Sequence, residues 1–133
     1  LEWIHPSPAN SNMVVNYPLA EAMKVHLDAL GLTMPEAVAE EGQGSTDWGN
    51  VSYVVPSVET SYPILDHVCT WHSQDVVDAS ISELGFQNTI LVAKAMALAG
   101  LDVMRNAELR GQIRDKFDAQ VPLETRQMVQ SLT

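Results

Sequence analysis

The sequence predicts an α/β fold, on three observations. Apolar residues recur at spacings of three and four over long stretches, the mark of amphipathic helices. Short apolar runs of strand length lie between those stretches. The two kinds alternate along the chain instead of segregating, as layered α/β folds require. With 133 residues, the chain has the length of one domain of roughly 100–150 residues and no internal repeat.

At the start, Leu1-Glu2-Trp3-Ile4 reads as the tail of a strand running into a Pro-, Asn- and Ser-rich stretch, His5 to Asn12. With no partner before it, that opening suggests a piece of a longer protein. Met13-Val14-Val15 is either a strand or a connector. Asn16 then offers a helix cap and Pro18 suits the first turn. Leu19, Met23, Leu27 and Leu30 form a stripe, and Gly31 stands where helices end, so a helix is expected over Pro18–Leu30.

Pro35 to Glu41 is acidic and short, and Gly42-Gln43-Gly44 follows as a loop. Ser45 or Thr46 can cap a short helix that Pro56 closes. Ser61 to Val68, with Tyr62, Ile64 and Leu65, suits a buried strand. Thr70 to Asp75 reads as a strand-to-helix turn with Thr70 or Ser73 as cap. Leu84–Met104 is apolar on most faces and predicts a long buried helix. Asn106 caps a last amphipathic helix, Ala107–Phe117, in which Leu109, Ile113 and Phe117 share a side. Beyond Val121-Pro122 the tail is polar and is expected to fray.

Composition narrows the function. Seven Lys+Arg against seventeen Asp+Glu give a net charge of -10. That field repels phosphate backbones and anionic membrane surfaces, so neither nucleic acid nor membrane is an expected partner. A single cysteine, Cys69, excludes an internal disulfide framework and a cysteine-rich zinc site. The N-terminus shows no signal segment, and the run Ile90 to Leu101 is interrupted by Lys94 and short for a bilayer. A cytoplasmic location follows as the expectation.

His67 and His72 stand five apart with Asp66 beside the first. They are either ligands for zinc or manganese or, more commonly for such a pair, half-buried hydrogen-bonded histidines. His26 and His5 suggest no chemistry. Cys69 has His67 and His72 nearby in sequence, which leaves a nucleophile possible on paper. Its apolar stretch has no Lys or Arg close by, however, which favours an inert buried thiol. Gly44-Ser45-Thr46-Asp47-Trp48-Gly49-Asn50 combines small residues, hydroxyls, a carboxylate and a stacking ring. It suits either a ligand loop or an ordinary capping loop.

The run Gly44-Ser45-Thr46-Asp47-Trp48-Gly49-Asn50-Val51-Ser52-Tyr53-Val54-Val55-Pro56 resembles the signature segment of zinc-dependent amidohydrolases and peptidases of the aminoacylase and carboxypeptidase-G type. It is most similar to the branch holding the p-aminobenzoyl-glutamate hydrolases. His72-Ser73, Leu91-Val92-Ala93-Lys94-Ala95-Met96-Ala97 and Asn106-Ala107-Glu108-Leu109 stand where that branch continues. Glu59 stands near the place where the family often carries a histidine.

The resemblance implies that this is the C-terminal part of an α/β catalytic domain with short strands and long buried helices. It sets residues 1–12 as the end of a lid strand and connector, 13–120 as the catalytic portion and 121–133 as a polar tail. It further implies cleavage of the amide bond of N-acyl or aminobenzoyl amino acids by a metal-activated water, with zinc or manganese as cofactor. His72 would be a metal ligand, and Gly44, Ser45, Thr46, Asp47 and Trp48 would line the substrate pocket. The other ligands and the general base have no counterpart here, so no catalytic residue is expected within the chain. No activity and no tight metal binding are expected of it alone. Loss of its apolar cover should drive self-association. The alternative is a non-catalytic helical interaction or dimerisation module.

Overall fold

A computed structural model describes residues 10–33 and 46–130. Among them 64% are helical, and there is neither strand nor sheet, which overturns the expected α/β fold. The predicted strand Leu1–Ile4, the acidic stretch Pro35–Glu41 and the loop Gly42-Gln43-Gly44 lie outside the described residues. Met13–Val15 contributes one isolated parallel bridge, Val15 to Ser57, closed by Asn16 N–H donating to Ser57 O at 3.1 Å. An extended segment becomes a strand only where a neighbour continues the ladder, and none of the described residues does so.

Ser61–Val68, expected as a buried strand, is an irregular loop hung from side chains of a helix. Asn88 Nδ2 donates to Pro63 O at 2.8 Å, and the Tyr62 and Thr89 hydroxyls are 3.0 Å apart. These contacts satisfy the loop's polar groups where a ladder would have done so.

By its internal contacts the chain divides into two compact units. One comprises Leu1–Ala20, Ala37–Glu59 and Ala107–Thr133, the other Glu21–Glu36 and Thr60–Asn106. Helix α1, Tyr17–Ala29, starts in the first and continues in the second. Its bounds match the predicted helix within a residue, because the stripe and both end signals are local. Leu19 N–H donates to Asn16 Oδ1 at 3.2 Å, and Gly31 at φ +87° turns the chain so that Leu32 N–H reaches Leu27 O at 2.9 Å.

The second unit contains α3, Gln74–Ser80, and α4, Glu83–Arg105. Met23, Leu27 and Leu32 cluster with Val92, Ala95 and Ala99, and Leu30, Tyr62 and Leu91 pack around them. Ser82 caps α4, its Oγ accepting from Gly85 N–H at 3.0 Å. His26, expected to be inconspicuous on a polar face, lies 2.6 Å through Nε2 from Asp102 Oδ2 and ties α1 to α4.

The expectation of a helix buried on most faces is corrected. Only Gly85, Asn88, Val92, Ala95 and Ala99 of α4 are buried, while Phe86 is 62% and Met96 61% exposed. An apolar composition fixes what a helix can bury, whereas the layers against it fix what it does bury. By length and composition alone α4 also passes as a membrane span, a test that core helices of soluble proteins equally pass.

The first unit contains α2, Trp48–Ser52, α5, Ala107–Gln120, and α6, Leu123–Gln130. Ile113, Phe117, Val121 and Val129 are buried in it. The predicted helix Ala107–Phe117 runs on to Gln120. The tail expected to fray instead forms α6, and Arg126 supplies the reason. Its Nε donates to Val121 O at 2.7 Å, its guanidinium pairs with the Asp118 carboxylate, and the same group lies 4.3 Å from the Phe117 ring centroid. Arg126→Ala is expected to cost about 1–2 kcal/mol from these charge-assisted and cation–π contacts. Faster amide hydrogen exchange across Leu123–Gln130, with α5 unchanged, would register the loss.

Candidate functional site

The residues singled out in the sequence fall in different units. Gly44 and Ser45 lie outside the described residues. Thr46, Asp47 and Trp48 belong to the first unit and His72 to the second.

Thr46, Asp47 and Trp48 are exposed at the start of α2. Thr46 Oγ1 accepts from Trp48 N–H at 3.2 Å, which realises the capping role open to Thr46. Asp47 occupies the cap position in a helical conformation, and its carboxylate makes no capping bond. The second half of the same signature has a structural task that the sequence does not announce. Asn50 Oδ1 accepts from Ser11 N–H at 2.7 Å, and Ser52 Oγ accepts from Val14 N–H at 2.9 Å while donating to Gly49 O at 2.6 Å. The Tyr53 hydroxyl donates to Asn12 Oδ1 at 3.0 Å. These bonds clamp the extended segment before α1 onto α2. Small and polar residue types were the available signal, but the same types also suit a ligand loop.

His72 is exposed and, among the described residues, the one non-glycine position with positive φ, at 62°. Histidine tolerates this region better than most residues, yet such a backbone still costs on the order of 1–3 kcal/mol. The next residue carries a second cost. Ser73 Oγ is buried with no hydrogen-bond partner among the described residues and, although at the N-cap of α3, makes no capping bond. An unpaired buried hydroxyl costs about 1–3 kcal/mol. Unfavourable terms at consecutive residues are what functional positions accumulate.

His67 Nδ1 lies 2.8 Å from Asp66 Oδ1, and because a carboxylate can only accept, the ring nitrogen donates. That bond, the bond to the Asp66 backbone and the His67 charge hold the Asp66 carboxyl below its ordinary range. Both groups are exposed, so His67 is not the half-buried histidine allowed for in the sequence. A cleft of about 250 Å³ opens beside them, lined by Tyr62, Ile64, Leu65, His67, Cys69 and Trp71, among others. Cys69 is half-buried in this wall where full burial was expected.

Among the described residues no three His, Cys, Asp or Glu side chains gather as metal ligands would. A tight divalent site needs about three protein ligands, so these residues do not by themselves fit a metal centre.

No family model matches the chain, and no solved structure matches it significantly. Two curated proteins do. Over 115 residues, 85% of this chain, it is 30% identical to the Xaa-Arg dipeptidase of Mus musculus. Over 89 residues, 67% of the chain, it is 35% identical to the Xaa-Arg dipeptidase of Homo sapiens. This likeness supports a peptidase or amidohydrolase family. The chain spans 26% of the mouse protein and 20% of the human one. Support therefore reaches the peptidase and amidohydrolase level and does not extend to the aminobenzoyl-glutamate branch.

Proposed function

We propose that the chain is the C-terminal part of a metal-dependent amidohydrolase that cleaves the amide bond of small N-acyl amino acids. The likeness to two dipeptidases across most of this chain carries that reading. Their name favours a dipeptide with arginine on the carboxyl side over an aminobenzoyl amino acid as substrate. Zinc or manganese is the proposed cofactor of the complete enzyme, with His72 one of its ligands and the remaining ligands supplied by chain outside the described residues. The left-handed backbone at His72 and the orphaned hydroxyl of Ser73 support this assignment. Thr46, Asp47 and Trp48, with Gly44 and Ser45, are proposed to face the substrate.

The test compares the 133 residues with the full polypeptide of the same reading frame, each supplied with zinc or manganese and an Xaa-Arg dipeptide. The longer chain should hydrolyse the dipeptide and the shorter should not. His72→Ala in the longer chain should lower turnover and metal affinity by more than about a hundredfold, since even residues behind the ligands are worth about 10–100-fold. Hydrolysis by the 133 residues alone would overturn the ligand assignment, and an unaltered His72→Ala enzyme would overturn the role of His72.

A further inference from the structure

Helix α2 is held in the first unit by hydrogen bonds more than by apolar burial. It has 5 residues, far below the roughly 12–15 at which an isolated helix begins to hold itself. Its buried residues are Gly49 and Ser52, whereas Trp48 and Val51 are exposed, as are Val54 and Val55 just beyond it. The face that α2 turns inward is therefore small and polar, and it lies on residues 11–14.

Three contacts fix that face. Ser52 Oγ, in a fully buried residue, accepts from Val14 N–H and donates to Gly49 O. Asn50 Oδ1 accepts from Ser11 N–H, and Gly49 lies so close to Ser11 O that no Cβ would fit. Asn16 fastens the same segment to its surroundings, its N–H donating to Ser57 O and its Nδ2 to Ile113 O of α5. From α2 the tie runs back to the residues that precede it. Thr46 O accepts from Gly49 N–H at 3.3 Å and Asp47 O from Asn50 N–H at 2.9 Å, while Trp48 opens α2 itself.

We infer that Asn50 and Ser52 are positioning residues, which set Thr46, Asp47 and Trp48 by tying α2 to residues 11–14. They act through the residues proposed to face the substrate, so the inference rests on that reading of Thr46, Asp47 and Trp48. Loss of Ser52 Oγ unties Val14 N–H and Gly49 O together and frees the start of α2 to shift. A shift of about 1 Å in a group that positions substrate can cost up to about a hundredfold. Residues that hold substrate equally in ground and transition state place such a loss in KM, with kcat little changed.

The test uses the full polypeptide of the same reading frame, with zinc and the same Xaa-Arg dipeptide. Ser52→Ala should raise KM by about tenfold to a hundredfold with kcat changed far less. It should also speed amide hydrogen exchange across residues 46–53 and leave α5 unchanged. Partial unfolding alone would act differently, lowering kcat with the folded fraction and keeping KM. Tyr53→Phe removes only the exposed bond to Asn12 and leaves packing intact, so it should show both changes to a smaller degree. Unchanged exchange across residues 46–53 in Ser52→Ala would overturn the clamp. Faster exchange with KM unchanged in both variants would overturn the positioning role. A natural polypeptide that leaves the dipeptide intact would sink the hydrolase reading instead, and the exchange measurement would still decide the clamp.

Discussion

Gly49→Ala is expected to destabilise the first unit by about 3 kcal/mol or more, toward the upper end of what inserting one methyl group costs. A Cβ at this buried position would lie 1.9 Å from Ser11 O and 2.8 Å from Ser11 C. Both are backbone atoms, so no side-chain rotation relieves the clash. Ser11 is itself held by its N–H bond to Asn50 Oδ1, one residue beyond Gly49. Relief would therefore break the clamp that fastens residues 11–14 to α2. Urea denaturation should show a large fall in midpoint. Gly111→Ala in α5, where a Cβ meets nothing within 4 Å, is the matched control. It should stabilise by about 0.5–1 kcal/mol, the ordinary helix preference for alanine. Equal effects from the two substitutions would refute the close approach.

Asn16→Ala should lose about 1.5–2.5 kcal/mol, because the side chain performs two tasks and is only 2% exposed. Its Oδ1 caps α1 by accepting from Leu19 N–H, a contribution of about 1 kcal/mol. Its Nδ2 donates to Ile113 O at 2.9 Å, a buried bond to α5 across 97 positions of sequence. Ile113 O lies inside α5 and still accepts from its own helix when this bond is lost, so the loss is that of one buried hydrogen bond, about 0.5–1.5 kcal/mol. Asn16→Ser separates the two, since serine caps as well as asparagine and cannot reach Ile113 as a donor. The serine variant should recover roughly the capping share in thermal unfolding. Full recovery would show that the bond to Ile113 contributes nothing.

Asn16 also shows how far the chain's local pattern reaches. Its capping role was legible because a cap acts on amides two or three positions away. Its bond to Ile113 was not, because nothing near Asn16 in the chain marks the distant acceptor. The signature segment divides in the same way. Gly, Ser, Thr, Asp and Trp at its start read as a pocket, and Thr46 proves to accept the Trp48 amide. Gly49, Asn50, Ser52 and Tyr53 hold the chain together, a use their chemistry permits and their order does not announce. His72 was singled out by residue type and by resemblance. Its left-handed backbone and the orphaned Ser73 hydroxyl beside it emerge only in three dimensions.

By itself the sequence determined α1 and α4 nearly to the residue and α5 in all but its last turn, since helical period, caps and terminating glycine are properties of neighbours in the chain. It also carried the kinship with hydrolases that two dipeptidases support. The tertiary structure decided that Val15 and Ser57 make a lone bridge instead of a sheet, and that Ser61–Val68 hangs from α4. It likewise decided that only one stripe of α4 is covered and that Arg126 turns the polar tail into α6. The physical reason is common to all four. Ladders, burial and docking are completed by atoms far away in the chain, and local pattern fixes what a segment offers without fixing what meets it.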